Sequence, residues 1–216
     1  MGRYKYAVFD LDGTLLDSMH MWGNVGIDFL IEIGVVPPEG LRETLKPLGL
    51  RAAARYFVDE LGVTMKAEEI VDRINEMVGR NYRSHIGMKQ GVREFLNDLM
   101  LRGIKMCVAT ATDYPHVEAA LKRLDIWDYF EFVVTCQEVN AGKESPKIYL
   151  ESAKRLNASA DEVVIFEDAL HAACTAKTAG FYVVGVYDAS AEQDMDGLKE
   201  VCDEYVFSFD DVECFR

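Results

Sequence analysis

Long apolar runs are absent from this chain of 216 residues. No window approaches the ~18 consecutive apolar residues of a membrane span, so no transmembrane helix is expected. The opening residues pass straight into an apolar strand, without the h-region or small-residue cleavage site of a secretory signal. Positive charge is scarce as well: 23 Lys and Arg stand against 37 Asp and Glu, a formal net charge of −14. That balance repels phosphate backbones and anionic lipid, so neither nucleic acid nor a membrane surface is an expected partner. A small anionic substrate is still compatible, because a local site can be positive on an acidic protein. The five cysteines (Cys107, Cys136, Cys174, Cys202, Cys214) are odd in number, widely spread and form no CxxC pair. They read as reduced thiols of a cytoplasmic protein. His20, His85, His116 and His171 have no metal-ligand spacing, and the chain shows no internal repeat or low-complexity segment.

What is present is ordinary globular composition, 50% hydrophobic, enough for a sizeable core. Apolar β-rich runs recur at 4–9, 104–109, 131–134, 163–166 and 182–186. Several are apolar nearly throughout, as in strands covered on both faces. Helical patterns lie between them: 91–102 before Gly103, 114–124, 146–156 with Ser145 as N-cap and Pro146 at N1, and 169–179 before Gly180. The tail, 192–216, offers one more helix and a short strand near Tyr205-Val206-Phe207. The alternation predicts a Rossmann-like, doubly wound parallel sheet of the α/β class.

Residues 17–87 break that rhythm. They contain no convincing strand and read as helices over 19–33, from Pro37-Pro38, over 51–61 and over 66–85. The expected division is therefore an α/β core of residues 1–16 and 88–216, with an inserted helical cap of residues 17–87.

Open parallel sheets bind ligands beyond the carboxyl ends of their strands. Beyond the first strand comes Asp10-Leu11-Asp12-Gly13-Thr14, and beyond the second Thr110-Ala111-Thr112-Asp113. Gly142-Lys143-Glu144-Ser145-Pro146 follows the third at some distance, and Glu167-Asp168 follows the fourth. One rim thus gathers carboxylates, hydroxyls and a lysine. Crowded carboxylates repel one another unless a cation sits among them, and hard oxygen ligands suit Mg²⁺ with a substrate phosphate. Taken singly, each motif has a plainer reading. Asp-Gly is a turn signal, Thr110 could cap a helix, Lys143 could be a loop lysine with Lys147 as its rival, and Glu167-Asp168 could serve a helix N-terminus.

Together, Asp-Leu-Asp-Gly-Thr-Leu after the first strand, Thr110, Lys143 in Gly-Lys-Glu-Ser-Pro-Lys, and Phe-Glu-Asp at 166–168 resemble the four motifs of the haloacid dehalogenase-like phosphohydrolases. A helical insert just after the first motif resembles the subfamily that includes phosphoglycolate phosphatase-like enzymes and β-phosphoglucomutase. The resemblance implies a Mg²⁺-dependent phosphatase of a small phosphorylated metabolite, working through an aspartyl-phosphate, as a monomer or weak homo-oligomer. It implies Asp10 as nucleophile and metal ligand, and Asp12 as general acid/base with a backbone contact to the metal. Thr110, Ala111 and Lys143 would bind phosphate; Asp168 would ligate the metal, with Glu167 beside it through a water. In the loop Lys46-Pro47-Leu48-Gly49-Leu50-Arg51, Gly49 would permit an unusual turn, and Arg51 would meet the non-reacting end of an anionic substrate.

Alternatives stay open. A sugar-phosphate mutase would use the same aspartyl-phosphate, but Trp22 stands where those relatives carry a histidine. A dehalogenase does not need Asp12 or Asp168. A phospho-Asp receiver does not carry its phosphorylated Asp on strand one. An inactive binding protein would not need every motif residue.

Overall fold

The computed structural model describes residues 4–46 and 48–215. Pro47, in the loop expected over 46–51, lies outside them. The described strands are β1 (Tyr6–Phe9), β2 (Leu16–Asp17), β3 (Gly87–Met88), β4 (Lys105–Thr110), β5 (Phe130–Thr135), β6 (Val163–Glu167), β7 (Tyr182–Val186) and β8 (Glu204–Val206). The described α-helices are α1 (Met19–Glu32), α2 (Leu41–Leu45), α3 (Leu50–Asp59), α4 (Ala67–Ser84), α5 (Val92–Leu101), α6 (Tyr114–Arg123), α7 (Cys136–Val139), α8 (Lys147–Leu156), α9 (Leu170–Thr178) and α10 (Met195–Val201). The chain divides into two compact units, Met1–Ser18 with Ile86–Arg216, and Met19–His85.

The first unit is a Rossmann-like α/β fold. Its sheet runs β5-β4-β1-β6-β7-β8, with every neighbouring pair parallel. From β1 the chain builds outward through β4 and β5, then returns across β1 to lay down β6, β7 and β8. The strand order therefore reverses at β1, which puts the topological switch point at its carboxyl end. β6 is buried at all five positions, which is why its sequence, Val-Val-Ile-Phe-Glu, shows no polar alternation.

Successive strand residues point to opposite faces, and the two faces differ in composition. On one, Phe9 and Phe166 stack with centroids 4.5 Å apart, and Phe95, Phe209 and Phe215 close around them. On the other, Val8 and Ile165 pack in one buried cluster with Ile148, Tyr149, Ala173, Ala176 and Leu198 from the helices.

The second unit is helical, containing α1 to α4. Ile70, Ile74, Met77 and Val78 form the buried stripe of α4, the i, i+4, i+7, i+8 pattern of an amphipathic helix. Phe29 of α1 stacks on Phe57 of α3 at 5.8 Å. Glu32 joins Arg73 and Arg80 of α4, each at 2.9 Å.

Four local expectations need correction. Leu16–Asp17 and Gly87–Met88 pair as an antiparallel ribbon where no strand was expected, because two residues are too few to show alternation. The helix expected at Pro37-Pro38 starts only at Leu41, after Gly40 at φ 75°; Pro38 instead accepts a turn bond from the Leu41 amide at 3.3 Å. Ser145 does not cap α8: Pro146 takes that position, and the Ser145 amide closes a turn onto Gly142. The four-residue α7 was not foreseen. It is set by Thr135, whose side chain accepts from the Glu138 amide at 3.1 Å.

Phe166 is fully buried among four other phenylalanines. Phe166→Ala should lower unfolding free energy by ~3–5 kcal/mol. Ile31→Ala, on the exposed side of α1, should change it by less than ~0.5 kcal/mol. Urea denaturation of the two variants checks the contrast.

Candidate active site

The β1 ladder continues one residue past the strand, with the Asp10 amide donating to the Phe166 carbonyl at 3.0 Å. The chain then turns sharply. Gly13 adopts φ 87°, in the left-handed region that favours glycine, and its amide donates to the Leu16 carbonyl at 2.9 Å. The Leu16 amide returns to the Leu11 carbonyl at 2.8 Å, and Leu11 and Leu15 anchor the turn in the core. A closed loop at the switch point therefore carries both Asp10 and Asp12.

Asp12 is oriented by hydroxyls. Ser18 Oγ donates to Oδ1 at 2.6 Å, and Thr112 Oγ1 to Oδ2 at 2.5 Å. The Thr112 amide in turn donates to Thr110 Oγ1 at 3.0 Å, which links the end of β4 to the Asp12 carboxylate. Thr110 is buried and Ala111 exposed.

Lys143 is buried between two carboxylates. Its ammonium donates to Asp10 Oδ1 and to Glu167 Oε1, the latter at 2.6 Å. Tyr149 OH donates to the same Glu167 oxygen at 2.7 Å. Asp168 is buried as well and accepts from Thr14 Oγ1 at 3.4 Å. Lys147, the rival lysine, is exposed on the first turn of α8.

Asp10, Glu167 and Asp168 each present a carboxylate oxygen, all within 4.8 Å of one another. Burial pushes all three above the usual carboxylate range, and repulsion among them adds to the rise, while Lys143 opposes it. Burial would push Lys143 down, but the facing charges of Asp10 and Glu167 win and hold it firmly protonated. One lysine cannot balance three carboxylates. Among the described residues, Glu167 Oε2 is a buried side-chain oxygen with no hydrogen-bond partner, and such atoms are costly unless something else meets them. Hard oxygen donors, excess negative charge and an orphaned acceptor together fit a divalent cation.

Asp10, Asp12, Thr110, Lys143, Glu167 and Asp168 thus meet beyond the carboxyl ends of β1, β4 and β6. Gly49 and Arg51 belong to the helical unit. Gly49 precedes α3 with φ −71° and ψ 159°, extended backbone that any residue adopts, so the expected unusual turn is not there. Arg51 is exposed on the first turn of α3.

Sequence reasoning missed Tyr149, Ser18, the bond from Thr112, and a second ion pair, half-buried Lys89 with buried Asp188. Asp188 had a signal: it follows the fifth apolar run much as Asp10 follows the first.

The model of the haloacid dehalogenase-like hydrolases matches residues 7–186. The chain belongs to this family. A relative from Thermotoga maritima, a phosphorylated carbohydrates phosphatase, is 30% identical over 81% of each chain. The Arabidopsis thaliana (DL)-glycerol-3-phosphatase 2 is 28% identical over 87% of this chain and 81% of its own length. A solved Thermotoga maritima structure superposes with a TM-score of 0.84 at 28% identity, over 94% of both chains.

Metal removal gives a pH test of the cluster. Carboxyls whose folded pKa is raised contribute stability below their unfolded values, about pH 4, and that stability is lost as pH rises through the folded values. A cation replaces the protons, so its benefit should grow with pH. In EDTA-stripped protein, added MgCl₂ should raise Tm little at pH 5 and more at pH 8. A Tm gain that is flat or shrinks with pH would contradict the cluster as a cation site.

Proposed function

We propose that this protein is a Mg²⁺-dependent phosphatase that hydrolyses a small phosphomonoester through an aspartyl-phosphate on Asp10. The observation that carries the reading is the buried Asp10–Lys143–Glu167 cluster at the switch point, with Asp12 held separately by Ser18 and Thr112. Two carboxylates two residues apart sit in unlike surroundings, as unlike roles require.

Asp10 and Asp168 would hold Mg²⁺, with Glu167 and the Asp12 backbone carbonyl in support. When bound, the ion would neutralise charge on the phosphoryl oxygens. Asp10 attacks phosphorus, and the bond to the leaving oxygen breaks as that oxygen takes a proton from Asp12. Asp12 then takes a proton from water, whose oxygen attacks phosphorus and releases inorganic phosphate and free Asp10. Thr110 and the Ala111 amide hold the transferring group, and Lys143 balances its charge.

The helical unit is proposed as a specificity-giving cap, with Arg51 as its candidate contact to the substrate's far end. Cytoplasmic location is part of the proposal. Its support is five free thiols and the lack, among the described residues, of a helix long and apolar enough to cross a membrane. Hydrolysis is favoured over a mutase by Trp22, whose indole nitrogen donates to Tyr82 OH at 3.1 Å where a mutase would carry histidine.

Rapid mixing with p-nitrophenyl phosphate separates the two aspartates. Nitrophenolate leaves without a proton, so Asp12→Ala should release about one equivalent of nitrophenol per site and then stall. Asp10→Asn should show no burst and at least a ~10³-fold lower kcat. A burst from Asp10→Asn, or unchanged steady turnover from Asp12→Ala, would overturn the assignment.

A further inference from the structure

The pair of half-buried Lys89 and buried Asp188 lies outside the machinery just described but touches its frame. Lys89 Nζ donates to Asp188 Oδ2 at 2.8 Å and to the Tyr187 carbonyl at 2.7 Å. The side chains are 15% and 6% exposed. The other Asp188 oxygen accepts from the Ser190 amide at 2.9 Å and from Ser190 Oγ at 2.7 Å. Asp188 is therefore held on both oxygens. Together Lys89 and Ser190 keep it below the usual carboxylate range against the opposing effect of burial.

Its position gives the pair its interest. β6 and β7 are neighbours, with Glu167 in register with Gly185. Asp168 lies one residue beyond β6 and Asp188 two beyond β7, on the same rim. The charge of Asp188 is felt at Asp168. Lys89 also reaches the other side of the site, since its amide donates at 2.9 Å to the carbonyl of Leu15, within the turn that carries Asp10 and Asp12. The rim thus carries a fifth carboxylate with a lysine of its own, in a region where neither charge is well solvated. Surface pairs contribute little, but a charge added or removed beside a buried ligand set acts through a low effective dielectric.

We propose that Lys89 and Asp188 are a positioning pair that trims the charge at the site, setting how its affinity is divided between the cation and the phosphate. The proposal rests on the phosphatase reading above. Unmasking Asp188 adds negative charge beside Asp168, which favours the cation and disfavours phosphate. Neutralising Asp188 leaves Lys89 as an unbalanced positive charge, with the reverse effect. Opposite signs are the signature, since a purely structural brace would weaken both ligands whichever partner is removed.

The test is calorimetric titration of metal-free protein with MgCl₂, and of Mg²⁺-saturated protein with inorganic phosphate. Lys89→Met should bind Mg²⁺ tighter and phosphate weaker, each on the order of three- to tenfold. Asp188→Asn should shift both constants the other way, and the double variant should return towards wild type. Lys89→Arg, which keeps the charge, should stay near wild type in both. If Lys89→Met does not fold, Asp188→Asn still decides by the sign of its two shifts. Loss of both affinities in a folded single variant, or no shift in either, overturns the pair's role and leaves the phosphatase reading standing. Wild-type protein that binds neither Mg²⁺ nor phosphate overturns both.

Discussion

The ammonium of Lys143 lies buried between Asp10 and Glu167, and much of the rim is organised around it. Without a positive charge there, two carboxylates would face each other inside the protein. Removing one partner of such a cluster costs ~3–5 kcal/mol, because it leaves charge buried and unpaired. The lysine does not complete the balance, however. Asp168 and the orphaned Glu167 Oε2 leave negative charge and acceptor capacity over. That remainder suits a cation, and a cation with the lysine suits a phosphate. Resting charge and proposed chemistry are thus one electrostatic arrangement.

The scaffold supplies the geometry that this arrangement needs. Because the strand order reverses at β1, β4 and β6 flank it and bring Thr110 and Glu167 to either side of Asp10. Phe9 and Phe166, which immediately precede Asp10 and Glu167, stack on one another on one face of the sheet, while Glu167 meets Tyr149 on the other, so the strand ends that carry the acidic residues are packed on both sides. Close packing of this kind resists displacement, which is what a preorganised site requires. Asp12 is treated differently, with a hydroxyl donating to each of its oxygens. A proton donor needs an environment unlike that of a nucleophile.

The parallel sheet was legible because fully buried strands leave continuous apolar runs, and the rim residues because each follows such a run. Asp10, Asp12, Thr110, Lys143, Glu167 and Asp168 could be located that way. Lys143 was chosen over Lys147 on its motif; in the structure Lys143 is buried against Asp10 and Glu167, and Lys147 is exposed. Tyr149 was hidden because a tyrosine on the inner face of α8 looks like core, and its hydroxyl bond to Glu167 leaves no mark in sequence. Lys89 was hidden because its partner Asp188 lies 99 positions away. The ribbon of β2 and β3 escaped notice because two residues on each side carry no periodicity. Gly49 illustrates the opposite error: a glycine in a loop suggested an unusual turn, and the backbone there is extended.

The central claim is that phosphorus is transferred twice, first to Asp10 and then to water. The stereochemical course at phosphorus tests it most directly, using a phosphorothioate monoester made chiral with oxygen isotopes and hydrolysed in isotopically labelled water. Two in-line displacements give net retention of configuration, which is the result this account predicts. Inversion would mean a single direct attack by water and would contradict it.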